Sequence, residues 1–170
     1  GQKGVLYGSY IEGMYINQLF EDSTLLSRED ANHDNFLDII SPKIFHISTH
    51  GEYVDSDQLM ENGRLCLSGY NKTDSGYVTA AEIQDMDLTD TELVVLSACQ
   101  TGQGKSIGGE GVYGIRRAFE LAGAKTLLLT VEEIDDYNAA LFMKIFYQYY
   151  KKSRNAMESY QETQLYLSDY

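Results

Sequence analysis

The sequence predicts an α/β fold built around a mostly parallel central sheet. Three short, almost continuously apolar runs indicate buried strands, and stretches with helical spacing separate them. Continuous apolar runs are typical of parallel strands that are covered on both faces. Because the strands alternate with helices, right-handed crossover connections are expected. The length of 170 residues and the apolar content of 43% suit one domain with a single core.

The three predicted strands span residues 43–48, 92–97 and 125–130. The first two are followed closely by residues with reactive side chains, His50 and Cys99. In sheets of this kind, ligands and reactive groups lie at the carboxyl ends of the strands. His50 and Cys99 are therefore the first candidates for a functional site.

Helical spacing predicts two long helices after the second and third strands. The first lies between Gly111 and Gly123, where the closing glycine suits a left-handed C-cap. The second spans residues 136–152. Asp135 and Asp136 stand at its start and two lysines near its end, which complements the helix dipole.

Two weaker helical patterns lie earlier in the chain, at residues 28–40 and 80–86. Thr79 and Glu82 fit a capping box at the start of the second. His33 lies in a polar run within the first, and we expect it to be solvated.

The charge balance argues against partners with anionic surfaces. The chain carries 13 Lys and Arg against 26 Asp and Glu, a net charge of −13. Nucleic-acid binding depends largely on Lys and Arg, so we expect neither nucleic acid nor a membrane as a direct partner. No apolar run approaches the roughly 20 residues of a membrane-spanning helix. Residues 1–11 lack the apolar segment of a signal peptide.

The two cysteines differ in their surroundings. Cys66 lies among apolar neighbours and is expected to be an inert core thiol. Cys99 follows a predicted buried strand and precedes a glycine-rich loop. Two cysteines of such unlike setting do not form a disulfide framework, which favours a reducing, cytoplasmic compartment.

His50 can activate Cys99 as a nucleophile. The thiolate attacks carbonyls far better than the thiol, so a catalytic cysteine needs a nearby base, and histidine exchanges protons near neutral pH. Gly51 has no side chain to block a substrate carbonyl, and its N–H could form an oxyanion hole with that of Cys99. The alternative for Cys99 is a small buried side chain without chemistry. His46, inside the first strand, is expected to be a hydrogen-bonded core residue.

Two other motifs resemble nucleotide and calcium sites but lack required residues. In the run 99–106, Cys99 stands where a phosphate-binding loop needs its first glycine, and no helix is predicted to follow directly. In the run 71–82, Glu82 is the only carboxylate at a ligand position of a calcium loop. His50 and Cys99 lack two further ligands at zinc-like spacing. We therefore expect no metal and no cofactor.

Four motifs occur in a fixed order along the chain. They are Thr-His-Gly after a strand, Val-Thr-Ala-Ala-Glu-Ile, Leu-Ser-Ala-Cys-Gln-Thr-Gly at the end of a strand, and Gly-Glu-Gly-Val at the start of a helix. They stand at residues 49–51, 78–83, 96–102 and 109–112. This set resembles the CHAT family of caspase-like domains, from about Glu12 to the end of the chain. The resemblance implies the caspase-like three-layer fold, with helices on both faces of a mostly parallel central sheet.

The resemblance also implies a cysteine endopeptidase that cleaves a specific protein substrate. His50 would act as general base and acid, and Cys99 as the nucleophile that forms a thioacyl-enzyme intermediate. The amides of Gly51 and Cys99 would bind the oxyanion. The alternative is a catalytically silent caspase-like scaffold that binds protein partners. The same pair of residues also permits a thiol hydrolase or acyltransferase acting on small substrates.

One loop departs from the family pattern. Family members usually carry Leu-Trp-x-Val-Asp-Asp after the third core strand, whereas residues 130–136 are Thr-Val-Glu-Glu-Ile-Asp-Asp and the chain has no Trp. Loops at the strand ends build the substrate pocket of caspase-like folds. We expect Glu132, Asp135 and Asp136 to bind a Lys or Arg of the substrate. The alternative for the two aspartates is that they only cap the following helix.

The resemblance further predicts how the protein is organised. Residues 1–170 are expected to be a caspase-like catalytic domain, namely its C-terminal part, truncated at both ends. The expected partners are a protein or peptide substrate, an attached repeat or sensor segment, and the missing half of the domain. The domain would then be the regulated effector part of a larger protein.

Overall fold

The chain forms two compact units. The computed structural model describes residues 7–53, 57, 63–70, 76–98, 109–130 and 134–169. Unit 1 comprises Gly1–Gly4 and Leu26–Glu133, and unit 2 comprises Val5–Leu25 and Ile134–Tyr170. Unit 2 is therefore built from two segments that are far apart in the sequence.

The helices and strands of the described residues follow one another in this order: α1 Tyr7–Leu19, a 3-10 helix Arg28–Asp30, α2 His33–Leu37, β1 Ile44–Thr49, β2 Gly51–Tyr53, β3 Gly63–Cys66, β4 Tyr77–Thr79, α3 Ala80–Ile83, β5 Leu93–Ala98, α4 Gly109–Ala122, β6 Leu127–Leu129, α5 Asp136–Ser153 and α6 Ala156–Ser168. Helices α1, α5 and α6 belong to unit 2, and the other elements belong to unit 1.

Unit 1 contains two sheets. The strands β1, β5 and β6 form a parallel sheet in the order β1-β5-β6. The strands β2, β3 and β4 form an antiparallel sheet in the order β2-β3-β4. All three predicted strands are present in the parallel sheet, with ends within two residues of the prediction. The predicted α/β fold class is therefore confirmed.

The core of unit 1 includes one face of the parallel sheet. Because side chains alternate along a strand, Phe45 and Ile47 of β1 share one face, as do Val94 and Leu96 of β5. The amphipathic helix α4 contributes Ile115, Ala118, Phe119 and Ala122 to the same core. Burying side chains as large as Phe and Ile stabilises the fold by about 1.5–3 kcal/mol each. This core fixes β1 and β5, the two strands that precede the predicted catalytic residues.

In unit 2, α1 and α5 lie side by side and run in the same direction. Near the start of both helices, the N–H of Ser9 donates to the carboxylate of Asp136 at 3.0 Å. Near their ends, the ammonium group of Lys151 donates to the carbonyl of Leu19 at 2.7 Å. Three aromatic side chains of α5 are buried in this unit: Phe146, Tyr147 and Tyr150.

Several elements differ from the prediction. Helices α1 and α6 and the strands β2 and β4 have no counterpart among the predicted helices and strands. The pattern over residues 28–40 corresponds only to a 3-10 turn and the five residues of α2. The long helices α4 and α5 are confirmed, and so is the capping box of α3, in which the Glu82 carboxylate accepts the N–H of Thr79 at 2.8 Å. Residues 71–75 of the calcium-like run lie outside the described residues, and residues 77–82 of the run form β4 and the start of α3.

The expectation that His33 is solvated is wrong. Its Nε2 lies 2.8 Å from a carboxylate oxygen of Glu82, and 22% of its side chain is exposed. The hydrogen bond to Glu82 raises the pKa of His33. For Glu82, partial burial opposes ionisation, but hydrogen bonds from Thr79 and His33 outweigh it and lower the pKa. This pair ties α2 to α3.

Candidate active site

The strand β1 leads directly to His50. Its Phe45 packs against Phe36 and Phe119, with ring centroids 5.3 and 6.3 Å apart. These aromatic contacts fix the strand from its core face. His50 follows Thr49, the last residue of β1, and is 5% exposed. The structure thus places a buried histidine directly after a strand of the parallel sheet.

The strand β5 lies beside β1 in a register that aligns their carboxyl ends. Ser48 pairs with Ser97, and Thr49 pairs with Ala98. The next residues in the two chains are His50 and Cys99. Cys99 and residues 100–108 lie outside the described residues. The structure therefore brings together the residues that immediately precede the two predicted catalytic side chains.

The segment around His50 is also bonded to β3. The N–H of Cys66 donates to the carbonyl oxygen of His50 at 2.8 Å. The hydroxyl of Thr49 donates to the carbonyl oxygen of Cys66. Cys66 is 3% exposed, which agrees with the prediction of a buried core cysteine. Sequence reasoning did not single out Thr49, and its place in the Thr-His-Gly motif was the available signal.

The N–H of Gly51 is directed away from β3. Gly51 pairs with Leu65 in the antiparallel register. The next pair along the ladder, His50 and Cys66, is hydrogen-bonded, because the N–H of Cys66 donates to the carbonyl oxygen of His50. Hydrogen-bonded and non-hydrogen-bonded pairs alternate along an antiparallel ladder, so Gly51 and Leu65 form a non-hydrogen-bonded pair. Among the described strands, β2 lies at the edge of its sheet. The amide of Gly51 is therefore not engaged by the β2–β3 ladder, and its role as an oxyanion-hole donor stays a prediction.

The residue after Gly51 carries a charge that is balanced within the sheet. One carboxylate oxygen of Glu52 accepts hydrogen bonds from Nη2 and Nε of Arg64, at 2.8 and 3.1 Å. The guanidinium group of Arg64 also stacks over Tyr77, 3.6 Å from the ring centroid. Negative charge beside the predicted oxyanion site is thus offset by Arg64.

The three carboxylates predicted to bind substrate have different surroundings. Asp135 is the N-cap of α5, and its side chain accepts the N–H of Asn138 at 3.0 Å. The carboxylate of Asp136 accepts the N–H groups of Gly8 and Ser9 at the start of α1. Glu132 lies outside the described residues. Asp135 therefore caps the following helix, as the alternative predicted, whereas Asp136 caps α1 and not α5. A substrate-binding role for either aspartate stays a prediction.

The described residues contain no group of three or more His, Cys, Asp or Glu side chains placed to hold a metal ion. Within these same ranges, no helix combines the length and apolar character needed to cross a membrane.

Unit 1 and its site together define a class of protein. It is an α/β protein in which a buried histidine follows one strand of a parallel sheet, and a cysteine comes next in sequence after the neighbouring strand. Residues 5–169 match the CHAT domain family. The chain therefore belongs to the CHAT domain family, which is caspase-like and protease-related. No curated protein and no solved structure gives a significant match to the chain.

Proposed function

We propose that this protein is a cysteine endopeptidase in which His50 and Cys99 form the catalytic dyad. The observation that carries the proposal is the pairing of Thr49 with Ala98. Paired strands lie about 4.8 Å apart, and consecutive Cα atoms about 3.8 Å apart. Because His50 and Cys99 come next in the sequence after these two paired residues, we expect both to follow the same end of the sheet.

In the proposed reaction, His50 takes the proton of the Cys99 thiol, and the thiolate attacks the scissile carbonyl carbon to form a C–S bond. The amides of Gly51 and Cys99 donate hydrogen bonds to the oxyanion. His50 then gives its proton to the leaving amine as the C–N bond breaks. Water, deprotonated by His50, attacks the thioacyl carbon, the C–S bond breaks, and the proton returns to the sulfur of Cys99.

Three described features support this reaction. His50 is 5% exposed, and a site shielded from water strengthens the electrostatic interactions inside it. The amide of Gly51 is not engaged by the β2–β3 ladder, which is compatible with a role as an oxyanion donor. The charge of Glu52 is balanced by Arg64 and so does not oppose charge that develops nearby.

For substrate preference, we keep the hypothesis of a Lys or Arg before the scissile bond, bound by Glu132, Asp135 and Asp136. A carboxylate that accepts hydrogen bonds at a helix N-terminus can also attract a cation, so capping and a substrate-binding role are compatible. Cleavage of a peptide library decides the question. Cleavage after apolar or acidic residues alone would reject the hypothesis.

The dyad itself is tested by labelling with acyloxymethyl ketone peptides, followed by peptide mapping of both cysteines. We expect Cys99 to label at least about a hundredfold faster than Cys66, and His50→Ala to remove most of that difference. His33→Ala is the matched control, because it removes another histidine of unit 1. If Cys99 labels no faster than Cys66 and His50→Ala changes nothing, the protein is a silent scaffold and the proposal is wrong.

The proposed setting is the cytoplasm, because a reducing compartment keeps the nucleophilic thiol in its active form. The proposed substrate is a protein or peptide. Regulation by an attached repeat or sensor segment, and completion by a further half of the domain, stay predictions.

A further inference from the structure

We propose that Thr49 is a positioning residue for His50 and that it acts through the backbone of Cys66. The inference rests on the proposed function, because the position of His50 matters to catalysis only if it exchanges a proton with Cys99.

His50 lies at the junction of two sheets. The strand β1, which ends at Thr49, belongs to the parallel sheet, and β2, which begins at Gly51, belongs to the antiparallel sheet. His50 itself lies outside the bounds of both strands. Neither ladder alone therefore determines its backbone conformation.

Two hydrogen bonds close a ring around the main chain of His50. The hydroxyl of Thr49 donates to the carbonyl oxygen of Cys66, and the N–H of Cys66 donates to the carbonyl oxygen of His50 at 2.8 Å. The first hydrogen bond holds the chain just before the Cα atom of His50, at Thr49, and the second holds it just after that atom, at the carbonyl group of His50. Because a residue has only two soft backbone torsions, the ring limits both φ and ψ of His50. It thereby sets the direction in which the imidazole leaves the backbone.

The strand that closes this ring is well supported. Cys66 is 3% exposed, and the preceding Leu65 is fully buried. Leu65 pairs with Val78 of β4, which is also fully buried, and Cys66 pairs with Tyr77. Among the described strands, β3 is the central one of its sheet. A hydrogen bond from Thr49 to β3 therefore connects His50 to a rigid part of unit 1.

The matched substitutions at this position are Thr49→Val and Thr49→Ser. Valine keeps the branched shape and loses the hydroxyl, whereas serine keeps the hydroxyl. Thr91→Val makes the same change at a fully buried threonine of unit 1 whose hydroxyl has no hydrogen-bond partner among the described residues. It controls for the general effect of replacing a threonine in this unit.

The measurement is the rate at which iodoacetamide alkylates Cys99 in the full chain, followed by peptide mapping from about pH 5 to about pH 9. Loss of one hydrogen bond of ordinary net strength should lower the neutral-pH rate about threefold to tenfold in Thr49→Val. The pH at which the rate is half-maximal should move toward that of His50→Ala. We expect Thr49→Ser to restore both values, and Thr91→Val to leave both unchanged. In a His50→Ala background, Thr49→Val should have no further effect.

The outcomes separate the two proposals. If His50→Ala shifts the pH profile but Thr49→Val does not, the positioning role is wrong and the dyad stands. If His50→Ala shifts nothing, the proposed function fails, and the positioning role fails with it. If Thr49→Val slows alkylation equally in the His50→Ala background, Thr49 has only a structural role. Should thermal melting show that the valine variant is unfolded, Thr49→Ser and Thr49→Ala are compared instead, and equal profiles for these two would overturn the proposal.

Discussion

Asp136 provides the most direct test of how unit 2 is held together. Its carboxylate accepts the N–H groups of Gly8 and Ser9 and the hydroxyl of Ser9, the last two at 3.0 and 3.2 Å. All three donors belong to the first turn of α1, where N–H groups have no partner within the helix. One carboxylate from α5 therefore acts as the N-terminal cap of α1.

The effect of removing this cap follows from its contacts. Loss of an N-terminal cap costs about 0.5–2 kcal/mol, and hydrogen bonds to a charged group contribute about 1.5–3 kcal/mol. Because Asp136 is only half-buried, we expect Asp136→Ala to destabilise α1 by about 2 kcal/mol. Asp136→Asn keeps an oxygen acceptor but loses the charge, and should cost about 1 kcal/mol. An isolated helix of the 13 residues of α1 is marginal in water, so the loss should appear as fraying of that helix.

Hydrogen–deuterium exchange of the peptide that covers residues 7–19 measures this directly. A loss of about 2 kcal/mol corresponds to roughly thirtyfold faster exchange in Asp136→Ala, with Asp136→Asn in between. Asp135→Ala is the control, because Asp135 caps α5 and should leave exchange in α1 unchanged. Unchanged exchange in α1 of the Asp136→Ala protein would refute the capping argument.

Three further predictions concern backbone fit and pH. Gly8→Ala should destabilise the protein by about 1–3 kcal/mol in urea unfolding, because the new methyl group would overlap the main-chain carbonyl of Asp136. Alanine has the higher helix propensity, so a stabilised variant would contradict this steric argument. Gly123→Ala should lower the free energy of unfolding by about 1–3 kcal/mol in the same assay, because Gly123 has φ +107° and an added Cβ would lie 3.0 Å from the Cα of Thr89. An unchanged urea midpoint would contradict this prediction. Because the pKa of His33 is raised, its contribution to the free energy of unfolding is complete below about pH 6.5 and is lost as pH rises. Because the pKa of Glu82 is lowered, its contribution to the free energy of unfolding is complete above about pH 4.5 and is lost as pH falls. The stability difference between wild type and His33→Gln should therefore be largest between these values, at about 0.5–1 kcal/mol, and a difference that does not vary with pH would argue against the pair.

The parts of the fold that sequence patterns predict are those with continuous apolar character. β5 buries its apolar residues 93–96, β1 buries Phe45 and Ile47, and α4 has a clear apolar face. The helix α6 was missed because its buried residues are Ser159 and Thr163. Their hydroxyls donate to backbone carbonyls of Asn155 and Ser159, both at 2.6 Å, so burial causes no loss of hydrogen bonding. Hydropathy cannot reveal a helix face of this kind.

The helix α1 and the strands β2 and β4 were missed for other reasons. α1 contains two glycines, which lower helix propensity, and its N-terminal turn depends on a carboxylate 128 residues away. The strands β2 and β4 have three residues each, too few for a pattern of alternation.

The candidate site also has one part that the sequence predicts and one part that it does not. The position of His50 directly after a strand of the parallel sheet was predictable, because the apolar run that precedes it is clear in the sequence. The attachment of His50 to β3 was not predictable from the sequence. The partners Thr49 and Cys66 are 17 residues apart and meet only through the pairing of two short strands.

The composition of unit 2 from two distant segments has a consequence for protein synthesis. Asp136, which caps α1, is made 128 residues after Gly8. At about 5–20 residues per second, α1 waits about 6–26 s on the ribosome for its partner helix. All of residues 26–133 emerge in this interval, so unit 1 can fold first. A nascent chain therefore carries an unpaired α1 throughout this interval.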